Sequence, residues 1–285
     1  MLIAQITDTH IGFDRDNPDE YNRVRLAALI ERLVEGPNRP DLLLLTGDLT
    51  EFGDAASYAH LAEVLAPCPF PVHLMVGNHD DRAALLEAFP QTPSSAGFVH
   101  YAIELDGLRV LMLDTIEPGR HGGAFCEARA AWLAGELAAR PQTPTVIAMH
   151  HPPFVAGIDW MGGDEDEAWI TRFAATIAGH GQVSAILCGH IHRTIHTIWH
   201  GVQLSVCSSS APTVGLDLRP VDPDRPDGRA MITDELPGYG LHYWDGARLI
   251  SHYEAVGALD TLARYDSGMQ DVVRQIASER PARPN

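Results

Sequence analysis

The chain has 285 residues and a formal net charge of −18, from 38 acidic against 20 basic side chains, with 45% apolar residues. That length suits one large α/β domain or two small ones, and the apolar share is ordinary for a globular protein. The charge argues against a nucleic-acid polymer as partner, because phosphate backbones need clustered Lys and Arg, and no apolar run approaches the ~18 residues of a membrane span.

The amino terminus, "MLIAQITDTH", reaches Asp8 without the basic start or small-residue cleavage site of a signal peptide. A cytoplasmic protein without a membrane partner is therefore expected. The run 2–7 is the first expected strand, followed by apolar residues at helical spacing through Val24, Leu26, Leu29, Ile30, Leu33 and Val34. Further strands are expected over 42–46, 72–76, 109–113, 145–149 and 185–188. Between them lie helical patterns through Tyr58, Leu61, Ala62 and Leu65, through Trp132, Leu133 and Leu137, and through Trp169, Ile170, Phe173 and Ile177. This alternation predicts an α/β layered domain with helices over a largely parallel sheet.

After residue 190 the pattern changes. "TIHTIWHGVQLSV" and "GLHYWDGARLISHYEAV" each resemble two strands around a tight turn, at His200–Gly201 and Asp245–Gly246. The Pro- and Asp-rich stretch 211–240 between them has little periodicity, and loops of that length are lids, binding loops or disordered segments. One domain over 1–285 is expected: a core of about 1–207, an elaboration over about 208–267 and a frayed tail over 268–285. Cys68, Cys126, Cys188 and Cys207 form no C-x-x-C pair, so neither a disulfide framework nor a thiolate zinc site is indicated.

The strand ends carry the chemistry. Run 2–7 leads into Asp8-Thr9-His10, 42–46 into Gly47-Asp48, 72–76 into Gly77-Asn78-His79-Asp80, 145–149 into His150-His151, and 185–188 into Gly189-His190-Ile191-His192. Each piece alone is commonplace turn or cap chemistry. Together they matter, because the carboxyl ends of parallel strands line the crevice where open α/β sheets bind ligands. Carboxylates, imidazoles and one amide oxygen suit Fe, Mn, Zn or Co. Asp8, His10, Asp48, Asn78, His150, His190 and His192 are too many ligands for one ion. They suit two ions sharing a bridging carboxylate, the usual clamp for displacement at phosphorus. Two carboxylates against two divalent ions leave the centre with about +2, enough to hold an anion in an acidic chain.

The order D-x-H, G-D, G-N-H-D, H, G-H-x-H resembles the calcineurin-like metallophosphoesterase superfamily over roughly residues 1–207. "TGDLTEFGDAASY", "GNHDD", "AMHHPP" and "LDT" are similar to the bacterial class III cyclic nucleotide phosphodiesterases and the related glycerophosphodiesterases. The resemblance implies a four-layer αββα sandwich and a hydrolase with a dinuclear metal centre. It implies that Asp8, His10 and His192 hold one metal, that Asn78, His150 and His190 hold the other, and that Asp48 bridges. It makes His79 a charge stabiliser or proton donor facing the phosphoryl group. Asp80 is expected to assist catalysis by orienting neighbours, and Asp81 to favour the following helix N-terminus.

Asn78, His79 and His151 are expected to contact substrate, although packing is the commoner fate of a residue such as His151. His121, in "GRHGG", could lie near the site. His60, His73, His100, His180, His200, His242 and His252 fit no motif and are expected to be surface or core residues.

The expected reaction is hydrolysis of a small phosphodiester by metal-bound hydroxide, with 3′,5′-cyclic nucleotides such as cAMP favoured. A glycerophosphodiester or broad-range xenobiotic diester is the alternative, and a non-catalytic scaffold of the same fold a remote one. The relatives imply a homodimer or higher homo-oligomer.

Overall fold

Short apolar runs become buried strands, and the amphipathic segments between them become the helices that cover those strands. The computed structural model describes residues 1–17 and 19–280. In its first half, β1 (Leu2–Ile6), β2 (Leu42–Thr46) and β3 (Val72–Met75) alternate with α1 (Tyr21–Glu35), α2 (Ala55–Leu65) and α3 (Arg82–Ala88). Next come β4 (Tyr101–Leu105), β5 (Leu108–Leu113), α4 (Glu127–Ala139), β6 (Thr145–Met149), α5 (Ala168–Ile177) and β7 (Val183–Cys188). The remainder holds β8 (Ile195–Trp199), β9 (Val202–Val206), β10 (Thr213–Val214), β11 (Ile232–Thr233), β12 (Gly238–Trp244), β13 (Leu249–Ala255) and α6 (Gln270–Ser278).

The strands form two mixed sheets, ordered β13-β12-β1-β2-β3 and β4-β5-β6-β7-β9-β8, with β10 and β11 as a separate two-stranded ribbon. The expected parallel arrangement holds for β1-β2-β3 and for β5-β6-β7-β9. It does not extend to β12 and β13, or to β4 and β8, which pair antiparallel at the flanks. All six expected strands are present, as are both hairpins after residue 190. Strand β4 went unrecognised, although the Asp106–Gly107 turn that joins it to β5 is a hairpin signal; Gly107 sits at φ 73°, where a side chain would be strained.

A single apolar core unites strands of both sheets with the inner faces of the helices. Gln5 of β1 crosses between the sheets, donating from Nε2 to the Cys188 carbonyl of β7 at 3.1 Å and to Thr46 Oγ1 at 3.0 Å. In α1 the buried apolar positions are Leu26, Leu29, Ile30 and Leu33, whereas Val24 is exposed. Two residues before Leu26 is about 200° around the helix, so Val24 points away from the core. Burying each leucine contributes ~2 kcal/mol. Asp54 caps α2 by accepting from the Ser57 N–H, and Asp81 caps α3 by accepting from the Ala84 N–H, the helix-start role expected of Asp81.

The 211–240 stretch contains the β10–β11 ribbon and is tied to α1 through Arg25. That guanidinium donates to the carbonyls of Ser210, Ala211 and Glu235 and pairs with Asp234. The expected frayed tail contains α6, none of whose residues is buried; its last part, 281–285, lies outside the described residues. No helix among the described residues is long and apolar enough to cross a membrane.

Candidate metal centre and substrate cleft

The ends of β1, β2 and β3 in one sheet, and of β6 and β7 in the other, converge on one point. Main-chain bonds stitch the loops together. Asp8 N–H donates to Gly47 O (3.0 Å), Thr9 and His10 N–H donate to Asp48 O (2.8 and 3.0 Å), and Gly189 N–H donates to His150 O (3.1 Å). Asp8 Oδ1 and Oδ2 accept from the His190 N–H, both at 3.0 Å, and Asp48 Oδ1 accepts from the His79 N–H at 2.8 Å.

Such close approach requires bare backbone. A Cβ on Gly77 would lie 2.3 Å from Asp48 N and Oδ1, and one on Gly189 would lie 2.0 Å from Thr7 Oγ1. Asp8, His10, Asp48, His190 and His192 all have positive φ, between 45° and 72°. Such strain in non-glycine residues persists where surrounding structure enforces it, and it clusters at functional sites.

The side chains meet as two overlapping groups. Asp8 Oδ1 lies 3.4 Å from His192 Nε2, which lies 3.1 Å from His10 Nε2. Asp48 Oδ2 lies 3.7 Å from His10 Nε2 on one side and 3.2 Å from His150 Nε2 on the other. Asp48 is thus placed to serve both groups. His150 and His190 rings lie 5.2 Å apart, centroid to centroid. Metal-compatible triads include Asp8–His10–His192 and Asp8–Asp48–His150.

Three imidazoles are oriented from behind through Nδ1. His150 donates to the Thr46 carbonyl at 2.9 Å, His192 to the Pro212 carbonyl at 2.8 Å, and His10 to Glu51 Oε2 at 2.7 Å. Each bond fixes the Nδ1 proton behind the ring and directs Nε2 into the site, where a bound metal would take the place of a proton.

The residues fit a pair of cations. Among the described residues His150 Nε2 and Asn78 Oδ1 are buried with no hydrogen-bond partner, a costly state unless another ligand satisfies them. The charges agree. Burial alone would raise the pKa of Asp8 and Asp48, but the facing imidazoles (His192 for Asp8, His150 for Asp48) outweigh it and hold both carboxyls below the usual range. Burial opposes protonation of His150, yet the Asp48 charge prevails and raises its pKa to about 9. Burial, with His151 and His150 nearby, lowers His190 far below the ordinary histidine value, keeping it neutral. Buried carboxylates that draw protons onto neighbouring imidazoles form a site that favours bound positive charge.

The other expected residues divide. His79 is half-buried and faces the cleft, its Nδ1 donating to the Glu51 carbonyl at 3.0 Å. Asp80 does not reach the cleft. Its carboxylate accepts from the N–H groups of Leu49, Thr50 and Gly77 and from the Tyr58 hydroxyl, which restricts it to holding the β2 and β3 loops together. Burial, with the Asp48 charge, pushes its pKa up to about 6. The expected substrate contact by His151 is corrected. Its ring is buried, with Nδ1 against Thr115 Oγ1 (2.9 Å) and Nε2 against the His121 carbonyl (3.1 Å), so it packs behind His190. His121 does line the cleft, 4.6 Å from the His190 ring.

Glu51 and Tyr58 were missed. Both lie within the family-like stretch "TGDLTEFGDAASY", Tyr58 also within a helical pattern, but nothing local shows which partner either would meet.

The metal-capable side chains of His10, Asp48, His190 and His192 line the base of a cleft of about 790 Å³. Its walls include Phe13, Trp160, Met161, Val214 and Ile232, with Asp14, Asn17 and Asp19 also lining it. Glu20 shapes this wall by accepting from the N–H groups of Gly12 and Phe13. The chain has no lysine, and no arginine among the described residues lines the cleft. Positive charge for a phosphoryl group must therefore come from histidines and bound cations.

Residues 1–194 match the family model of the calcineurin-like phosphoesterases. The chain belongs to this family. It is 34% identical over 270 residues to a protein of Rhodopseudomonas palustris named as a probable cyclic nucleotide phosphodiesterase, covering 88% of this chain and 91% of that one. It is 28% identical over 267 residues to one of Arcobacter nitrofigilis named as a probable glycerophosphodiester phosphodiesterase, covering 91% and 95%. The fold matches a dimetal phosphatase of Danio rerio with a TM-score of 0.61 at 14% identity, covering 88% and 98%. The family uses a dinuclear metal centre, and the protein is a metal-dependent phosphoric diester hydrolase.

Proposed function

We propose that this hydrolase cleaves 3′,5′-cyclic nucleotides, with cAMP as the representative substrate. The observation supporting this choice is the cleft itself, in which a cluster of metal-capable side chains lies beside an apolar wall that includes Phe13, Trp160, Val214 and Ile232. A purine base is planar and largely apolar on its faces, and such a wall would bury it, whereas a glycerol moiety gains little there. The relative of R. palustris, named for cyclic nucleotides, supports the same choice.

Asp8, His10 and His192 would hold one metal, Asn78, His150 and His190 the second, and Asp48 both. When bound, the metals supply charge neutralisation at the phosphoryl oxygens and activation of water near neutral pH. The protein's own groups do the rest. His79, its Nδ1 held by the Glu51 carbonyl, keeps Nε2 free to face the phosphoryl group. Water adds to phosphorus and gives up a proton, one P–O ester bond breaks, and the departing alkoxide takes a proton from Nε2 of a doubly protonated His79, which the proton released from water restores. Asp80 keeps Asp48 and Asn78 in register by bonding the main chain beside each.

A glycerophosphodiester is the second choice. Asp14 and Asp19 beside Phe13 at the cleft offer an ammonium headgroup both charge and an aromatic face, and the A. nitrofigilis relative carries that name. Side-by-side turnover of cAMP and glycerophosphoethanolamine by Mn²⁺-reconstituted protein decides between them. A clearly higher kcat/KM for cAMP supports the proposal, and a higher value for glycerophosphoethanolamine replaces it.

A further inference from the structure

The oriented imidazoles are not oriented alike. His150 and His192 lean on main-chain carbonyls, acceptors present whatever side chain stands at positions 46 and 212. His10 leans on a side chain, with Glu51 Oε2 2.7 Å from its Nδ1. A carboxylate acceptor makes a stronger bond than a neutral carbonyl, holds the proton on Nδ1 and enriches Nε2 in electron density. That Nε2 is the atom lying 3.1 Å from His192 Nε2 and 3.7 Å from Asp48 Oδ2.

Glu51 lines the cleft, yet its carboxylate turns to histidines. Among the described residues its carboxylate pairs with no arginine, only with His10 and, at 3.8 Å, with His79 Nδ1. Its side chain is only 18% exposed, and a largely buried carboxylate without a cationic partner is costly to retain. Its backbone is fixed on both sides: its N–H donates to the Ile11 carbonyl at 2.9 Å, and its carbonyl accepts from His79.

We infer that Glu51 is a positioning residue for one half of the metal centre, orienting His10 and strengthening it as a ligand while leaving the Asn78–His150–His190 half unaffected. This rests on the dinuclear-centre proposal above. It adds that the first half depends on a mutable carboxylate beside the Pro212 carbonyl, whereas in the second the His150 ring leans on the Thr46 carbonyl.

The test is calorimetric titration of metal-free protein with Mn²⁺, which needs no substrate. In Glu51→Ala one of the two binding steps should weaken by about 10–100-fold and the other stay within about twofold. Glu51→Gln retains an oxygen acceptor for His10 but not the charge, so it should recover part of that loss, and it remains informative should the alanine variant fold poorly. In a His10→Ala background, Glu51→Ala should cause no further loss, because the ring it acts through is gone. Unchanged affinities in both Glu51 variants would overturn the inference. So would equal weakening of both steps, or a full additional loss without His10. A wild-type chain that binds fewer than two ions would overturn the dinuclear centre itself, an outcome distinct from a Glu51 effect that fails to appear.

Discussion

The base of the cleft and its walls are built on different principles. The base is made of strand ends: Asp8, His150 and His190 are buried, their loops are bonded main chain to main chain, and the His150 ring and Asp8 carboxylate are held by main-chain groups. The walls come from the loop carrying Phe13, the turn carrying Trp160 and Met161, and the β10–β11 ribbon, where Ile232 is exposed. Rigid strand ends hold reacting groups within the tolerance that chemistry needs, while loops can be rebuilt without disturbing them. The base accordingly accounts for what is done to phosphorus, and the walls for which phosphodiester is chosen.

Substitutions can break that division. The largest effect is expected at the shared carboxylate: Asp48→Ala should lower turnover at least ~10³-fold and reduce metal content in parallel, because both halves of the centre depend on it. His79→Ala should cut kcat by about 10²–10⁴-fold while metal analysis finds the wild-type content. Loss of metal in that variant would move His79 from proton donor to ligand.

In the walls, Ile232→Asp should raise the KM for cAMP about tenfold through lost apolar burial and an added like charge. It should leave kcat for bis(p-nitrophenyl) phosphate within about threefold. A fall in kcat for both substrates would show that the walls also govern the chemistry.

The smallest effect lies outside both regions. Burial lowers the pKa of His242 to about 3; its ring lies against Ser251 Oγ and Gln5 Oε1 within the sheet. The unfolded chain protonates this histidine near pH 6.5, but the folded chain does not until about pH 3. The unfolded state therefore binds the extra proton in that window, and His242 costs stability as pH falls through it. His242→Gln should unfold with about one fewer proton taken up, seen as a shallower acid limb in denaturation curves between these values.

Much of the base was legible in the sequence because parallel strands deliver their terminal residues to one edge, so apolar runs ending in Asp, Asn and His locate a site without any contact information. The family resemblance supplied the two-sheet sandwich. The pairing of β12 beside β1 depends on a contact across more than 230 residues, which local periodicity cannot encode. Glu51 escaped notice for a similar reason: its meaning lies in the position of His10, 41 residues away. His151 misled in the opposite direction, since adjacency to His150 in sequence sends consecutive side chains to different surroundings. The walls were legible only as an irregular stretch, because loops that line a cleft are chosen for shape and carry no repeating pattern.

The most direct test of the dinuclear centre is the metal content of Mn²⁺-reconstituted protein, measured alongside turnover of bis(p-nitrophenyl) phosphate before and after chelation. Since the cleft has no lysine or arginine among the described residues to hold a phosphoryl group, about two ions per chain are expected. Turnover should disappear with the ions and return when they are restored. Full turnover by metal-free protein, or no turnover with both ions bound, would contradict it.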